Sequence, residues 1–399
     1  MKKLKIAGVV LFVLAIAAVG VWMWQTKEPY YPDEVKASVQ NDETKLVNEP
    51  TTKNQAGTAS GSKTIAQNNK TTVKNNKATN TKKPKKKVKK KTAFTIKMHF
   101  VGDLLCATDA RTYYANCFED VAKSKKPSYF LKKVSKFFKN DDYTIGDAEN
   151  VYSNKKLPIS DKGQVANPGI KAFWFKTKAK NARILKAGGI DYVSIENNHI
   201  MDYGMTGKTD TRKAIKKAGV VWGDEGHIRY FSKKGFKVAI IAVSMYYDGV
   251  VPQIRKYIKK ASKKSDYQII YFHGGTEAIH EPEGWKKNAC RRLIDYGADL
   301  VIGDHPHVLQ PMEKYKGKTI IYSMGNFVFG GNRHPENRTI IYRHTLTIDK
   351  DKVKKQKGKI IPCYVYRGAM NNWQPAVIKN KTKKKHVIQF MKKKRSSPF

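Results

Sequence analysis

The sequence predicts an α/β domain carried behind one membrane-spanning helix and a polar stalk. Three observations predict it. An uncharged apolar run occupies residues 6–24. A Lys-, Thr- and Asn-rich segment follows, with no aromatic residue between Tyr31 and the start of the domain. From residue 93 onward, apolar strand patterns alternate with helical ones. Such alternation implies a mostly parallel, buried sheet covered by helices.

The apolar run is preceded by Lys2, Lys3 and Lys5. At about 1.5 Å per residue it is long enough to span a hydrocarbon core, and the basic flank keeps the N-terminus in the cytoplasm. A cleaved signal peptide is the competing reading. The run is long for one, and Trp22, Met23, Trp24 and Gln25 are not the small residues a signal peptidase takes. Residues 1–25 are therefore read as a basic stub and signal anchor, single-pass in the cell membrane, with the domain facing the extracellular side.

Residues 26–92 hold too little apolar surface to fold, and they close in the Lys-rich run 82–91. They read as a disordered stalk. Lys and Arg number 78 against 33 Asp and Glu, a net charge of +45. That excess attracts polyanions in a salt-dependent way. Outside the membrane no nucleic acid is expected, which leaves anionic envelope polymers or lipids; the competing explanation is Lys scattered over solvated helix faces. The four cysteines, Cys106, Cys117, Cys290 and Cys363, contain no Cys-x-x-Cys. That spacing argues against a thiolate zinc site, while disulfides and buried free thiols both stay open.

Within the domain, read as 93–378, strands are predicted over 94–101, 143–145, 192–195, 220–222, 236–244, 267–272, 300–302 and 319–323. Helices are predicted over 127–140, 179–187, 209–218, 253–262 and 286–296, three of them stopped by Gly188-Gly189, Gly219 and Gly297. The last third, 339–348 and 359–366, is strand-like without a helix between, which implies a second sheet or an antiparallel edge. Residues 379–399 read as a basic tail.

The polar motifs all follow strands. Gly102-Asp103 follows the first and Gly146-Asp147-Ala148-Glu149-Asn150 the second. Asn197-Asn198-His199, with Asp202, follows the third; His273-Gly274-Gly275-Thr276-Glu277 and Gly303-Asp304-His305-Pro306-His307 follow later ones. Loops at the carboxyl ends of such strands converge on one cleft. Asp103, Asp147, Glu149, Asn198, His273, His305 and His307 then form a mixed oxygen and nitrogen ligand set, suited to one or two divalent ions of Mn, Zn or Fe. His199 is placed to protonate a leaving oxygen, with Asp202 fixing its ring tautomer. Against this, Asp103 also suits a strand-end turn, and a lone His273 also suits a core. Two imidazoles one residue apart at 305 and 307 are the least ordinary feature. His227, His280, His334, His344 and His386 lack comparable surroundings and read as structural, and Asn326, in Tyr322 to Phe327, reads as part of the cleft floor.

Phe100-Val101-Gly102-Asp103, Asn197-Asn198-His199 with Asp202-Tyr203-Gly204, His273-Gly274-Gly275-Thr276-Glu277, residues 303–310 and residues 322–329 stand in the order of one family. The chain resembles the CapA-type proteins of poly-gamma-glutamate capsule biosynthesis, which are similar in turn to calcineurin-like metallophosphoesterases. The resemblance implies a four-layer αββα sandwich with a metal cleft. It implies Asp103, Asn198, His273, His305 and His307 as ligand positions, His199 as acid or phosphate contact, and Glu277 as part of a His-Gly-x-Glu pattern. There are departures. Leu105 stands where the phosphoesterases carry the His of Asp-x-His, so the first metal position is short a ligand. Either Asp147 or Glu149 can serve as bridge, and Gly274 replaces an aromatic, which loosens that wall.

Three functions are compatible with these features. The first is synthesis, export or anchoring of an anionic polymer beside membrane subunits of a capsule synthase. The second is an extracellular metal-dependent phosphoesterase, and the third a non-catalytic polymer-binding module.

Overall fold

A computed structural model describes residues 92–164, 167, 169, 172–331 and 336–399. The anchor read over 1–25 and all but the last residue of the stalk lie outside the described residues. Among those described, no helix is long and apolar enough to cross a membrane. The described elements lie in one compact unit, Val88–Asp161 with Lys171–Phe399.

In chain order these are β1 (Phe94–Leu104), α1 (Phe118–Ser124), α2 (Ser135–Phe138), β2 (Tyr143–Asp147), β3 (Val151–Tyr152), β4 (Lys176–Thr177), α3 (Arg183–Gly188), β5 (Tyr192–Ser194), α4 (Gly204–Lys217), β6 (Val221–Gly223), β7 (Arg229–Lys233) and β8 (Phe236–Ser244). There follow α5 (Val251–Ser262), β9 (Tyr267–His273), α6 (Gly284–Asp295), β10 (Leu300–Asp304), β11 (Leu309–Tyr315), β12 (Lys318–Met324), β13 (Asn326–Val328), β14 (Arg338–Asp349), β15 (Lys352–Tyr364), β16 (Ala376–Val377) and α7 (Lys381–Met391).

The fold is mixed α/β and rich in sheet. One sheet runs β16-β15-β14-β1-β2-β5-β6 with β13 also on β1, and a second runs β11-β12-β10-β9-β8-β7. β1, β2, β5 and β6 are parallel, as are β8, β9, β10 and β12. The late strands β14, β15 and β16 add an antiparallel edge to the first sheet.

Side chains alternate across each strand, so each sheet buries two apolar faces. Ile96, Met98 and Phe100 of β1 meet Val238, Ile240, Tyr267, Ile269 and Ile302 of the second sheet. The opposite faces take the helices. Val101, Leu104 and Val193 pack with Ile184, Leu185 and Ile215, while Ala239, Ile241 and Phe272 pack with Ile254, Ile258 and Leu293.

Three sequence readings need correction. The helix predicted over 127–140 is broken into a 3-10 turn, Pro127–Tyr129, and the single turn of α2. Val134 between them leaves helical geometry at φ −121°, ψ −15°. Phe130, Leu131, Val134 and Phe138 each plug the core separately, and burial of those side chains overrides a regular helix. The segment read as a basic tail carries α7. Asn380 caps it by accepting from the Lys383 backbone N–H at 3.0 Å, and Val387, Phe390 and Met391 are buried in the core between the sheets. Gly274 does not loosen its wall, because a Cβ there would lie 1.9 Å from the Met245 carbonyl oxygen. Backbone already fills that space. All four cysteines are free and buried.

Candidate metal centre

Sheet register sets the first candidate ligands side by side. Asp103 pairs with Asp147 between β1 and β2 and with Asn326 between β1 and β13. The close approach demands glycine next to Asp103: a Cβ on Gly102 would lie 1.7 Å from the Gly325 carbonyl oxygen. Asp103, Asp147 and Glu149, all from the first sheet, are fully buried. The second sheet supplies the imidazoles. His273 ends β9 beside Asp304 of β10, and the following loop carries His305 and His307. Both of these histidines have left-handed backbone, φ +97° and +60°, each costing about 1–3 kcal/mol, a strain of the kind that clusters at ligand sites.

Distances tie the two sets together. His273 Nδ1 lies 3.1 Å from Asp147 Oδ2 and 3.9 Å from Asp103 Oδ1, and its Nε2 lies 3.6 Å from Glu149 Oε1. His307 Nδ1 lies 3.3 Å from Asp103 Oδ2, and its Nε2 lies 3.8 Å from Glu149 Oε1 and 3.9 Å from Glu277 Oε1. The His305 ring stands 4.7 Å from His273 and 5.6 Å from His307. Four overlapping triads result, each with ligand atoms within 4.8 Å of one another: Glu149–His273–His305, Glu277–His305–His307, Asp103–Asp147–His273 and Asp103–Glu149–His307.

These residues fit a divalent cation. Both carboxylate oxygens of Asp103 and of Glu149, and Nδ1 of His273 and of His305, are buried without a hydrogen-bond partner among the described residues. Buried polar atoms are ordinarily satisfied, and a buried carboxylate needs a countercharge. Burial pushes the Asp147 carboxyl up to about 7. Burial, then Asp103 and Asp147, pushes Glu149 well above the usual carboxylate range. Burial drives His273 down to about 3 and, with His273 and His307 adding, drives His305 well below the usual range. Both rings are therefore neutral, with a lone pair to offer. For His307 burial pulls down most strongly, but the Asp103 carboxylate beside it, with Glu277 and Asn326 adding, together outweigh burial and the value rises.

The remaining predicted residues surround this cluster. Asn198 Oδ1 lies 3.0 Å from His273 Nε2. His199 presents Nε2 at 3.9 Å from Glu149 Oε1, while its Nδ1 lies 2.9 Å from Asp202 Oδ2. Asp202 also accepts the Phe175 backbone N–H at 2.6 Å. Asn326 Oδ1 lies 2.9 Å from His307 Nδ1, and Glu277 reaches in from the exposed rim.

Sequence reasoning assigned no role to four further groups. Asn197 holds Asp147 by its amide. Tyr246 stands edge-on to His305 at 5.2 Å. Asp304 is buried and accepts from the Tyr271 hydroxyl and the Met324 N–H. Buried Lys286 donates to the Gly274 carbonyl and to Gln310 Oε1, both at 2.9 Å, and so ties together the two loops that carry the imidazoles. Tyr246 sits just after an apolar strand, as every chosen motif does. That position was the available signal. Leu105, at the place of the missing imidazole, is buried and its side chain offers no ligand atom.

Comparison with known proteins agrees with this organisation. Residues 97–331 match the family described as bacterial capsule synthesis protein PGA_cap. The chain is similar to the capsule biosynthesis protein CapA of Bacillus anthracis, 27% identical over 343 residues that cover 74% of this chain and 80% of that protein. It is also similar to the PGA biosynthesis protein CapA of Bacillus subtilis, 29% identical over 266 residues that cover 61% of this chain and 66% of that protein. Among solved structures, a hypothetical protein from Thermus thermophilus overlaps at TM-score 0.39 and 12% identity, covering 67% of this chain and 99% of that one; a likeness of that size carries no argument. The family match spans more than half of the sequence and includes every ligand candidate, and the chain belongs to the bacterial capsule synthesis family of CapA-type proteins.

Proposed function

We propose that this chain is a single-pass membrane protein whose extracellular domain acts in the synthesis, export or anchoring of an anionic envelope polymer of the poly-gamma-glutamate type, beside membrane subunits of a capsule synthase. The family supports the polymer, the apolar run at 6–24 supports the anchor, and the net charge of +45 supports an acidic partner. The observation that carries the reading is the cluster of buried carboxylates and neutral imidazoles within a capsule-family domain.

The fold is read as the four-layer αββα sandwich of the metallophosphoesterases, and the cluster as its metal cleft. Asp103, Asp147, Glu149, His273, His305 and His307 would hold one or two divalent ions, with Asn198 and Glu277 completing the set. Glu149 supplies oxygen where the Asp-x-His imidazole is missing. When bound, such an ion polarises a substrate oxygen and lowers the pKa of water. The chain's own residues do the rest. Asn197 and Asn326 orient Asp147 and His307, the buried walls exclude bulk water, and Asp202 holds the His199 ring so that Nε2 faces the cleft and can deliver a proton to a leaving oxygen.

The His199–Asp202 pair favours a second reading, an extracellular metal-dependent phosphoesterase. A non-catalytic polymer-binding module is the third. Complementation separates them: a strain lacking the gene is given the parent or the His305→Ala/His307→Ala double variant, and surface anionic polymer is measured. Restoration by the parent alone supports a metal-dependent capsule role. Restoration by both supports binding without catalysis. No polymer defect in the deletion strain overturns the capsule reading and directs attention to phosphoester hydrolysis.

A further inference from the structure

Tyr246 follows β8 at the end of the sheets where the cleft forms. Its hydroxyl oxygen is buried and has no hydrogen-bond partner among the described residues. Its ring stands edge-on to His305 at 5.2 Å and 87°, and to His273 at 6.4 Å and 72°. Burial raises its hydroxyl well above the usual range, and the Glu149, Asp147, Glu196 and Glu277 carboxylates add to that rise. None of these lies within hydrogen-bonding distance of the hydroxyl, so a donor stands unmatched at the wall of a site rich in acceptors. A buried hydroxyl without an acceptor carries a desolvation cost.

Two residues beside it fix this placement. Met245 donates its backbone N–H to the His273 carbonyl at 2.9 Å. Its own carbonyl occupies the space where residue 274 would carry a side chain. Tyr246 is thereby locked to the strand end that delivers His273.

We propose that the Tyr246 hydroxyl is a ligand-contacting donor, which hydrogen-bonds an anionic oxygen of the molecule bound in the cleft. The inference rests on the reading of the cleft as a metal site, because an anion beside Glu149 and Asp147 needs a cation between them. The oxygen belongs either to a phosphoryl group or to a carboxylate, and both present the same acceptor to a phenol.

The test uses the full chain and its Tyr246→Phe variant, each loaded with Mn²⁺. Metal stoichiometry is measured first by elemental analysis, then affinity for inorganic phosphate and for glutarate by calorimetry. We expect equal metal content and about tenfold weaker binding of one probe in the variant. Loss for phosphate identifies a phosphoryl ligand, and loss for glutarate a carboxylate ligand. Equal affinity of the parent and the variant for both probes overturns the inference and leaves the metal site standing. So does a parent that takes up metal but binds neither probe. A parent that takes up no metal removes the metal reading and this inference with it.

Discussion

The Asn197 side-chain amide donates to both carboxylate oxygens of Asp147 at 3.2 Å and to the Ala148 carbonyl at 3.1 Å. Asp147 is thereby aimed at His273 before any ligand arrives. Asn197→Ala frees the carboxylate to rotate and also removes the acceptor of the His199 backbone N–H at 3.1 Å, a single bond within the turn. Metal affinity is expected to fall about 10- to 100-fold, with an unchanged circular dichroism spectrum. Calorimetric titration with Mn²⁺ decides it, and unchanged affinity would show that Asp147 is not a ligand.

His199 and the two loop imidazoles make different predictions. His305→Ala or His307→Ala should remove metal from a folded protein. His199→Ala should retain metal and lower turnover of a generic phosphodiester about 100-fold or more, if turnover is present in the parent. Elemental analysis of the three variants separates the roles. Loss of metal in His199→Ala would recast it as a ligand.

Protonation gives a third test. With the Asp147 carboxyl raised to about 7, a proton competes with the metal below that pH. His273, lowered to about 3, needs no deprotonation. Mn²⁺ affinity should therefore fall by up to about tenfold per pH unit below 7, and Asp147→Asn should flatten the slope. Stability of the metal-free fold is a poorer readout, because the signs oppose. The raised Asp147 adds stability that is lost as pH rises through about 7. The lowered His273 adds stability that is lost as pH falls below its unfolded value of about 6.5.

The C-terminal helix α7 gives a prediction about the fold. Removing residues 381–399 exposes the site of Val387, Phe390 and Met391, which are at most 2% exposed. Each buried side chain contributes about 1.5–3 kcal/mol. Thermal unfolding of the truncated chain should shift down by roughly 10 °C, and a shift of a degree or two would show α7 to be dispensable.

Much of the fold was legible because buried strands announce themselves. The run at 236–244 corresponds residue for residue to β8, and Gly189, Gly219 and Gly297 do sit at helix ends with positive φ. The strand-end position of the polar motifs likewise pointed to one cleft. What was missed lacked a periodic signature. β7 and β11 carry mixed charged and apolar residues on partly exposed strands. α7 hides three buried residues behind a run of lysines. Lys286 reads as one more surface lysine until its amine is seen inside the protein. Pairings such as Lys286 with Gly274 are made by tertiary contact, and no local pattern encodes them.

The cleft draws Asp103, Asp147 and Glu149 from the first sheet and the loop after it, and His273, His305, His307 and the rim acid Glu277 from the second. It is therefore a seam as well as a site. A cation held there would work as a clasp, stitching the two halves at the end where their apolar filling gives way to charge. Sliding the sheets by a single residue would part the three buried acids from all three rings at once. Metal should then raise the force and the heat needed to separate the layers far more than it alters either layer alone, so that resistance to unfolding becomes a direct gauge of whether the clasp is fastened.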